Sequence, residues 1–321
     1  NEKLVLDIIK KDVEEVKGRF GDKRRTEIVG AVTDLNIEDL IAEESVAVII
    51  SHEGYIKRLP LTSYRKQHRG GKGVAGADMK EGDFIEHLFV ASTHDYILFF
   101  TDQGRVYWLK VYDVPQMART SKGRALINLL ELNEDENVTS LIPVRDFDER
   151  QLVMATSSGI IKKTVLSAYG NPKKGGIIAI NLDEGDELIG VKLTNGKQDI
   201  ILGTEQGKAM RFSEENVRTM GRATHGVKGI KLKEDDKVRD IVIVDEHASL
   251  LSVCENGFGK RTDFGEYPVH HRGGQGVINI KTKKGKNAGF NGNFMVGITS
   301  SIYKPGTATY LIPKSQNSVN F

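Results

Sequence analysis

A chain of 321 residues with 39% hydrophobic residues, 34 glycines and 7 prolines has ample material for a turn-rich β core, which excludes a disordered or collagen-like chain. One cysteine excludes an internal disulfide framework and points to a reducing compartment, and no apolar stretch approaches the roughly 18 residues of a membrane span. The net charge of +2 excludes bulk charge as a guide to partners, so the placement of charges along the chain matters more than their sum.

At the N-terminus, Leu4, Ile8, Ile9, Val13, Val16 and Phe20 recur at roughly helical spacing among lysines and glutamates. This predicts an amphipathic helix ending near Gly18 or Gly21. Residues 21–35 read as a charged linker. Residues 1–35 are therefore expected to be the helical tail and linker of a preceding domain, and residues 36–321 a separate β domain. No signal-peptide pattern opens the chain, and the absence of an initiator methionine leads us to expect a fragment of a longer protein.

From residue 46 the chain repeats about every fifty residues. The anchor is a glycine between two apolar runs: Gly54, Gly104, Gly159, Gly207 and Gly257, at steps of 50, 55, 48 and 50. A period of this size marks a fold made of one supersecondary unit used several times. The run before each glycine (46–50, 97–100, 152–155, 200–202, 250–251) predicts a buried strand. A small residue precedes each glycine by three: Ser51, Thr101, Thr156, Thr204 and Cys254. A polar residue followed by glycine between strands is hairpin chemistry. Arg58, Trp108, Lys163, Arg211 and Arg261 lie four residues after the anchor, and Tyr64, Val114, Tyr169, Val217 and Tyr267 lie ten after it. A second glycine follows (Gly73, Gly123, Gly176, Gly226, Gly276), then a third strand, an acidic turn and a fourth strand. Four short antiparallel strands per fifty residues predict propeller blades. A sixth repeat near Gly306 is weak, and segment 284–293 reads as a flexible basic loop.

Charge is segregated within each repeat. Between the tenth position and the third strand the chain is basic and acid-free. Arg65, Lys66, Arg69 and Lys72 lie there in the first repeat, Arg119, Lys122 and Arg124 in the second, and Lys173 and Lys174 in the third. The fourth contributes Arg218, Arg222, Lys228 and Lys231, and the fifth Arg272, Lys281, Lys283 and Lys284. Neighbouring Lys162, Lys163, Lys260 and Arg261 add to the same band. Acids fall elsewhere, at Glu81 and Asp83, 131–136, 183–187 and 234–236, so acid is expected on a different edge. Five basic loops in phase suit a long polyanion wrapped on a rigid support. Half a turn of duplex over ~40 bp costs on the order of 10 kcal/mol, which about ten phosphate contacts spread over five loops would offset. No element is positioned for base readout in the major groove.

One loop carries more than charge: Gln67, His68, Arg69, Gly70, Gly71, Lys72 and Gly73. Adjacent glycines let backbone amides approach phosphate, but the spacing is not that of a Walker loop. This string resembles the Gln-Arg-Arg-Gly-Gly-Lys-Gly box of the DNA gyrase A-subunit family. The flanks 51–60 and 86–94 and the run 181–188 are similar to that family too, so the resemblance covers roughly residues 20–280.

The resemblance implies an all-β fold: a six-bladed, propeller-like β-pinwheel of four-stranded antiparallel blades with a short N-terminal helix. It implies a bacterial, non-catalytic domain that wraps duplex DNA with positive handedness, so that strand passage introduces negative supercoils. The cleavage tyrosine and the ATPase of this type II topoisomerase would lie elsewhere. Implied partners are the rest of gyrase A and gyrase B in an A2B2 assembly. No cofactor is expected in this domain, though the holoenzyme would use ATP and Mg2+, and the expected location is the cytoplasm, at the nucleoid. His68 stands where the family has Arg. The fifth repeat carries a near copy of the box, His270-His271-Arg272-Gly273-Gly274-Gln275-Gly276, with Gln275 in the lysine position.

Alternatives are a topoisomerase IV-type C-terminal domain, whose box is degraded or missing, and a propeller that binds proteins, although WD and GH signatures are absent. A metal enzyme finds little support, because His270 and His271 are adjacent without a cysteine pair or an HExxH helix. Cys254 fills the small-residue slot of the repeat. Trp108, Tyr64, Tyr169 and Tyr267 are expected in the core or between blades.

Overall fold

A computed structural model describes residues 2–22, 26, 37–63, 82–245, 247–254, 259–281 and 294–300. The chain divides into two compact units, residues 1–41 and 42–321. In the first, α1 spans Glu2–Phe20, and its apolar stripe, Leu4, Ile8, Val13 and Phe20 included, is exposed.

The second unit is built from hairpins. β1 (Ser45–Ser51), β2 (Tyr55–Pro60) and β3 (Ile85–Ser92) belong to the first repeat. β4 (Tyr96–Thr101), β5 (Arg105–Lys110), β6 (Arg124–Ala125) and β7 (Val138–Val144) belong to the second. The third holds β8 (Gln151–Thr156), β9 (Ile160–Val165), β10 (Ile177–Ile178) and β11 (Leu188–Thr194). The fourth holds β12 (Asp199–Thr204), β13 (Lys208–Ser213), β14 (Val227–Lys228) and β15 (Val238–Ile243). The fifth holds β16 (Ala248–Cys254), β17 (Gly259–Asp263), β18 (Val277–Ile278) and β19 (Phe294–Ser300).

The strands of one repeat do not make one sheet. The sheet orders are β3-β1-β2-β6, β7-β4-β5-β10, β11-β8-β9-β14, β15-β12-β13-β18 and β19-β16-β17. Each four-stranded sheet takes three strands from its own repeat and its outermost strand from the next. This corrects the expectation of a blade made from one contiguous repeat. The crossing is short and specific: Ile177 and Ile178 of β10 pair antiparallel with Val106 and Arg105 of β5. Five sheets are present among the described residues, and the weak sixth repeat near Gly306 lies outside them.

The central strands read as continuous apolar runs because both faces are covered. Successive side chains of a strand point to opposite faces. In β4, Ile97 and Phe99 enter the core shared with the first sheet, beside Val46, Val48 and Ile50. Leu98 and Phe100 enter the core shared with the third, beside Leu152 and Met154. Two more such cores lie between the third and fourth sheets and between the fourth and fifth. Strand β11 packs beside both β7 and β15, and β15 beside β19, so successive sheets meet along one kind of strand.

The anchor turn explains two signals of the repeat. At Gly104, φ is +73°, the left-handed conformation that closes a three-residue hairpin. A side chain there would also strike the Ile180 carbonyl, 2.6 Å from a Cβ. The Gly104 carbonyl accepts from the Ala179 amide at 2.8 Å, so the same glycine receives the strand arriving from the next repeat. The small residue three before the anchor ties the turn: Thr101 Oγ1 accepts from the Arg105 amide at 3.2 Å, and Thr204 Oγ1 from the Lys208 amide at 3.2 Å. Cys254 fills this slot as a buried free thiol, its pKa raised by burial.

Candidate nucleic-acid interface

Each described basic loop, from the second repeat to the fifth, joins a short 3-10 turn to a strand donated to the preceding sheet, and it runs along that sheet's hairpin. The Met117 amide donates to the Arg58 carbonyl at 3.3 Å, Met220 to Lys163 at 2.8 Å, and His270 to Arg211 at 2.9 Å. These contacts repeat at three interfaces, so the loops recur in equivalent positions. They also touch one another. The Asn181 amide, at the exit of the third repeat's donated strand, donates to Thr224 in the fourth loop at 3.1 Å. Lys231 donates to Gly274 in the fifth loop at 2.8 Å.

Lys122, Arg124, Lys173, Lys174, Arg218, Lys228 and Arg272 are exposed, while Arg119 and Arg222 are half-buried. Arg272 is partly bound down, with Nε donating to the Asn216 carbonyl at 2.9 Å and Nη1 to the Lys228 carbonyl at 3.0 Å. Arg65, Lys66, Gln67, His68, Arg69, Gly70, Gly71, Lys72 and Gly73 lie outside the described residues, as do Lys283 and Lys284.

Among the basic positions three and four residues after the anchors, Lys260 and Arg261 of the fifth repeat are exposed, but those of the earlier repeats do not join this exposed set. Lys162 and Lys163 are 0% and 6% exposed, which removes them from the band expected of them. The side chain four after the anchor clamps the next repeat's turn. Arg58 Nε donates to the Val114 carbonyl at 2.7 Å, Trp108 Nε1 to Tyr169 at 3.0 Å, Lys163 Nζ to Glu214 at 2.8 Å, and Arg211 Nη1 to Phe264 at 2.7 Å. Trp108 and Tyr169 thus meet between sheets. The adjacent pairs Lys57-Arg58 and Lys162-Lys163 were the sequence signal for this role, but two cations within a strand resemble solvated surface until both faces of the strand are known to be covered.

The acidic turns are structural as well. Asp83 Oδ1 accepts from the Glu53 amide at 3.0 Å, Asp186 Oδ1 from Ser158 at 2.9 Å, and Asp236 Oδ1 from Gln206 at 2.9 Å. Burial works against the Asp186 carboxylate, but hydrogen bonds from Ser158, Thr156 and Ser157 outweigh it and hold its pKa below the usual range. Acid and base are not fully separated. Asp183 Oδ1 lies 3.1 Å from Nδ1 of His225, in the fourth basic loop, which corrects the expectation of a different edge at that position. His225 stands one residue before the second glycine, where the first two repeats have Lys72 and Lys122.

The family model described as "DNA gyrase C-terminal domain, beta-propeller" matches residues 47–92, 95–145, 150–195, 198–245 and 249–286. The A subunit of DNA gyrase from Salmonella typhimurium strain LT2 is 49% identical over 278 residues, covering 86% of this chain and 32% of that protein. The Escherichia coli K12 protein of the same name is 48% identical over 264 residues, covering 82% and 30%. The chain thus spans about a third of the length of the curated relatives it matches. Among solved structures, the C-terminal domain of a DNA topoisomerase IV is similar with a TM-score of 0.67 and 27% identity, covering 82% of this chain and 79% of that one. A DNA gyrase A C-terminal domain is similar with a TM-score of 0.62 and 28% identity, covering 80% and 83%.

Proposed function

The chain belongs to the family of DNA gyrase C-terminal domains, and from that premise we propose that it binds, bends and wraps duplex DNA without regard to sequence as the C-terminal part of the gyrase A protein. The observation that carries this reading is the recurrence of acid-free basic loops at equivalent hydrogen-bonded positions of successive sheets. Exposed cations at Lys122, Arg124, Lys173, Lys174, Arg218, Lys228 and Arg272 would neutralise phosphates along one path, with Arg119 and Arg222 at its floor. Arg65, Lys66 and the box from Gln67 to Gly73 would add the first loop, with Arg69 and Lys72 as phosphate anchors and the glycines shaping the backbone. No side chain needs to read a base, since phosphate contacts position a duplex without specifying it.

The finer features follow from the same reading. A sixth blade would complete a β-pinwheel. The rest of gyrase A and gyrase B would form an A2B2 assembly at the cytoplasmic nucleoid. ATP and Mg2+ would act in other parts of that assembly, where the cleavage tyrosine also lies. The wrap is positive, so that strand passage by the assembly yields negative supercoils.

Binding of a random-sequence duplex at rising salt tests the reading. Six to ten phosphate contacts should cost about a thousandfold or more in affinity between 50 and 200 mM salt. A topoisomerase IV-type domain or a protein-binding propeller would separate in the same experiment and its sequel. In the assembled enzyme, replacing the box by alanines should abolish supercoiling and spare relaxation. Affinity insensitive to salt, or supercoiling retained without the box, would contradict the assignment.

A further inference from the structure

We propose that Lys57 and Lys162 are positioning residues for the nucleic-acid track: each buried ammonium, rooted in one repeat, draws inward the backbone carbonyls of the next repeat's basic loop and so leaves the loop's cationic side chains facing outward. The inference rests on the function proposed above and deepens it.

Both lysines lie three residues after an anchor glycine, Gly54 or Gly159, and are 2% and 0% exposed. Lys57 Nζ donates to the carbonyls of Arg119 at 2.7 Å and Ser121 at 2.5 Å. Lys162 Nζ donates to the carbonyl of Ala179 at 2.7 Å and to that of Arg222. Arg119 and Arg222 occupy the same place in their repeats, fifteen residues after Gly104 and Gly207. Two independent interfaces therefore use one lysine position to grip one loop position.

The other two interfaces use a cation from a different position for the same task. Arg105, one residue after its anchor, donates to the carbonyls of Gly175 and Gly176 in the third loop. Lys208, also one after its anchor, donates to the Gln275 carbonyl in the fifth at 3.2 Å. Where the cation sits at the first position, the third holds Tyr107 or Met210. Every described loop is thus gripped by a cation from the preceding repeat, drawn alternately from the third and the first position.

Packing alone does not call for this. Tyr107 and Met210 show that the third position is filled well without an ammonium, and both are buried. Burial and the neighbouring Arg222 guanidinium pull the Lys162 pKa down to about 8, so holding a charge there is costly. A carbonyl facing a phosphate would repel it, whereas a carbonyl bonded to an ammonium below is turned away, and the charge beneath the loop adds to the attraction.

The test is duplex binding by the 321-residue chain, read as the slope of log affinity against log salt. Lys162→Met, Lys57→Met, Arg222→Ala, Arg119→Ala and the double variant Lys162→Met/Arg222→Ala are compared with the unaltered chain. Each phosphate contact contributes about 0.9 to the slope, so Lys162→Met should lower it by roughly one to two contacts and weaken binding about threefold to tenfold, although Lys162 cannot itself reach phosphate. The double variant should lose little beyond the single ones. Should Lys162→Met fail to fold, Lys57→Met against Arg119→Ala asks the same question at the other interface. A folded lysine variant with an unchanged slope, or one whose loss simply adds to that of its arginine, overturns the positioning role while leaving DNA binding intact. An unaltered chain with no salt-dependent binding overturns the proposed function and this inference with it.

Discussion

Gly104 serves two structures at once, its own hairpin and the strand arriving from the next repeat. Gly104→Ala should therefore cost more than the ~1–2 kcal/mol of a left-handed alanine, because the Cβ would meet the Ile180 carbonyl 2.6 Å away. Thermal unfolding should show a drop of several degrees. His87, on β3, carries a pH signature: burial, with the Lys192 charge second, lowers its pKa from 6.5 to about 4. The unfolded chain then binds the extra proton between those values, so stability should fall as pH drops from about 6.5 to about 4 and lose nothing more to this group below that. The loss is on the order of 3 kcal/mol, and acid titration of His87→Gln should show it removed. The anchor glycines and the small residues before them were legible in the sequence as a pattern. Their reasons were not: the threonine hydroxyl ties its own turn only once that turn has its three-dimensional shape, and the glycine carbonyl receives a foreign strand, a contact between distant positions.

The donated strands couple one repeat to the next. Ile180, two residues beyond the end of β10, is 1% exposed and lies in the core shared by the second and third sheets. Ile180→Ala should cost about 2–5 kcal/mol, as buried large-to-small changes do. Since each sheet contacts mainly its neighbours, the damage should be local. Hydrogen exchange should quicken in β5, β10 and the Lys173-Lys174 loop, with β16 and β17 unchanged. A loss spread evenly over all sheets would contradict this chain of nearest-neighbour couplings. The strands themselves could be read from apolar runs and turns, but their crossing could not. In a periodic sequence the third strand of one repeat is as compatible with the preceding hairpin as with its own, so a shift by one whole repeat leaves every pattern unchanged. Likewise Lys162 and Lys163 read as surface charge, because a cation under a loop has the same local sequence as a cation on one.

At the scale of the β unit, four inter-sheet cores in series hold the loops in step, and hydrogen bonds from Asn181 to Thr224 and from Lys231 to Gly274 carry one loop's surroundings into the next. This continuity matters because bending a duplex needs contacts distributed along it. The most direct test closes nicked circular DNA with ligase in the presence of increasing amounts of the chain and reads the linking number afterwards. A duplex coiled on successive loops should give a positive shift that grows with bound chain and vanishes as salt strips the phosphate contacts. Circles closed with the chain bound, yet with the same linking number as circles closed without it, would contradict wrapping.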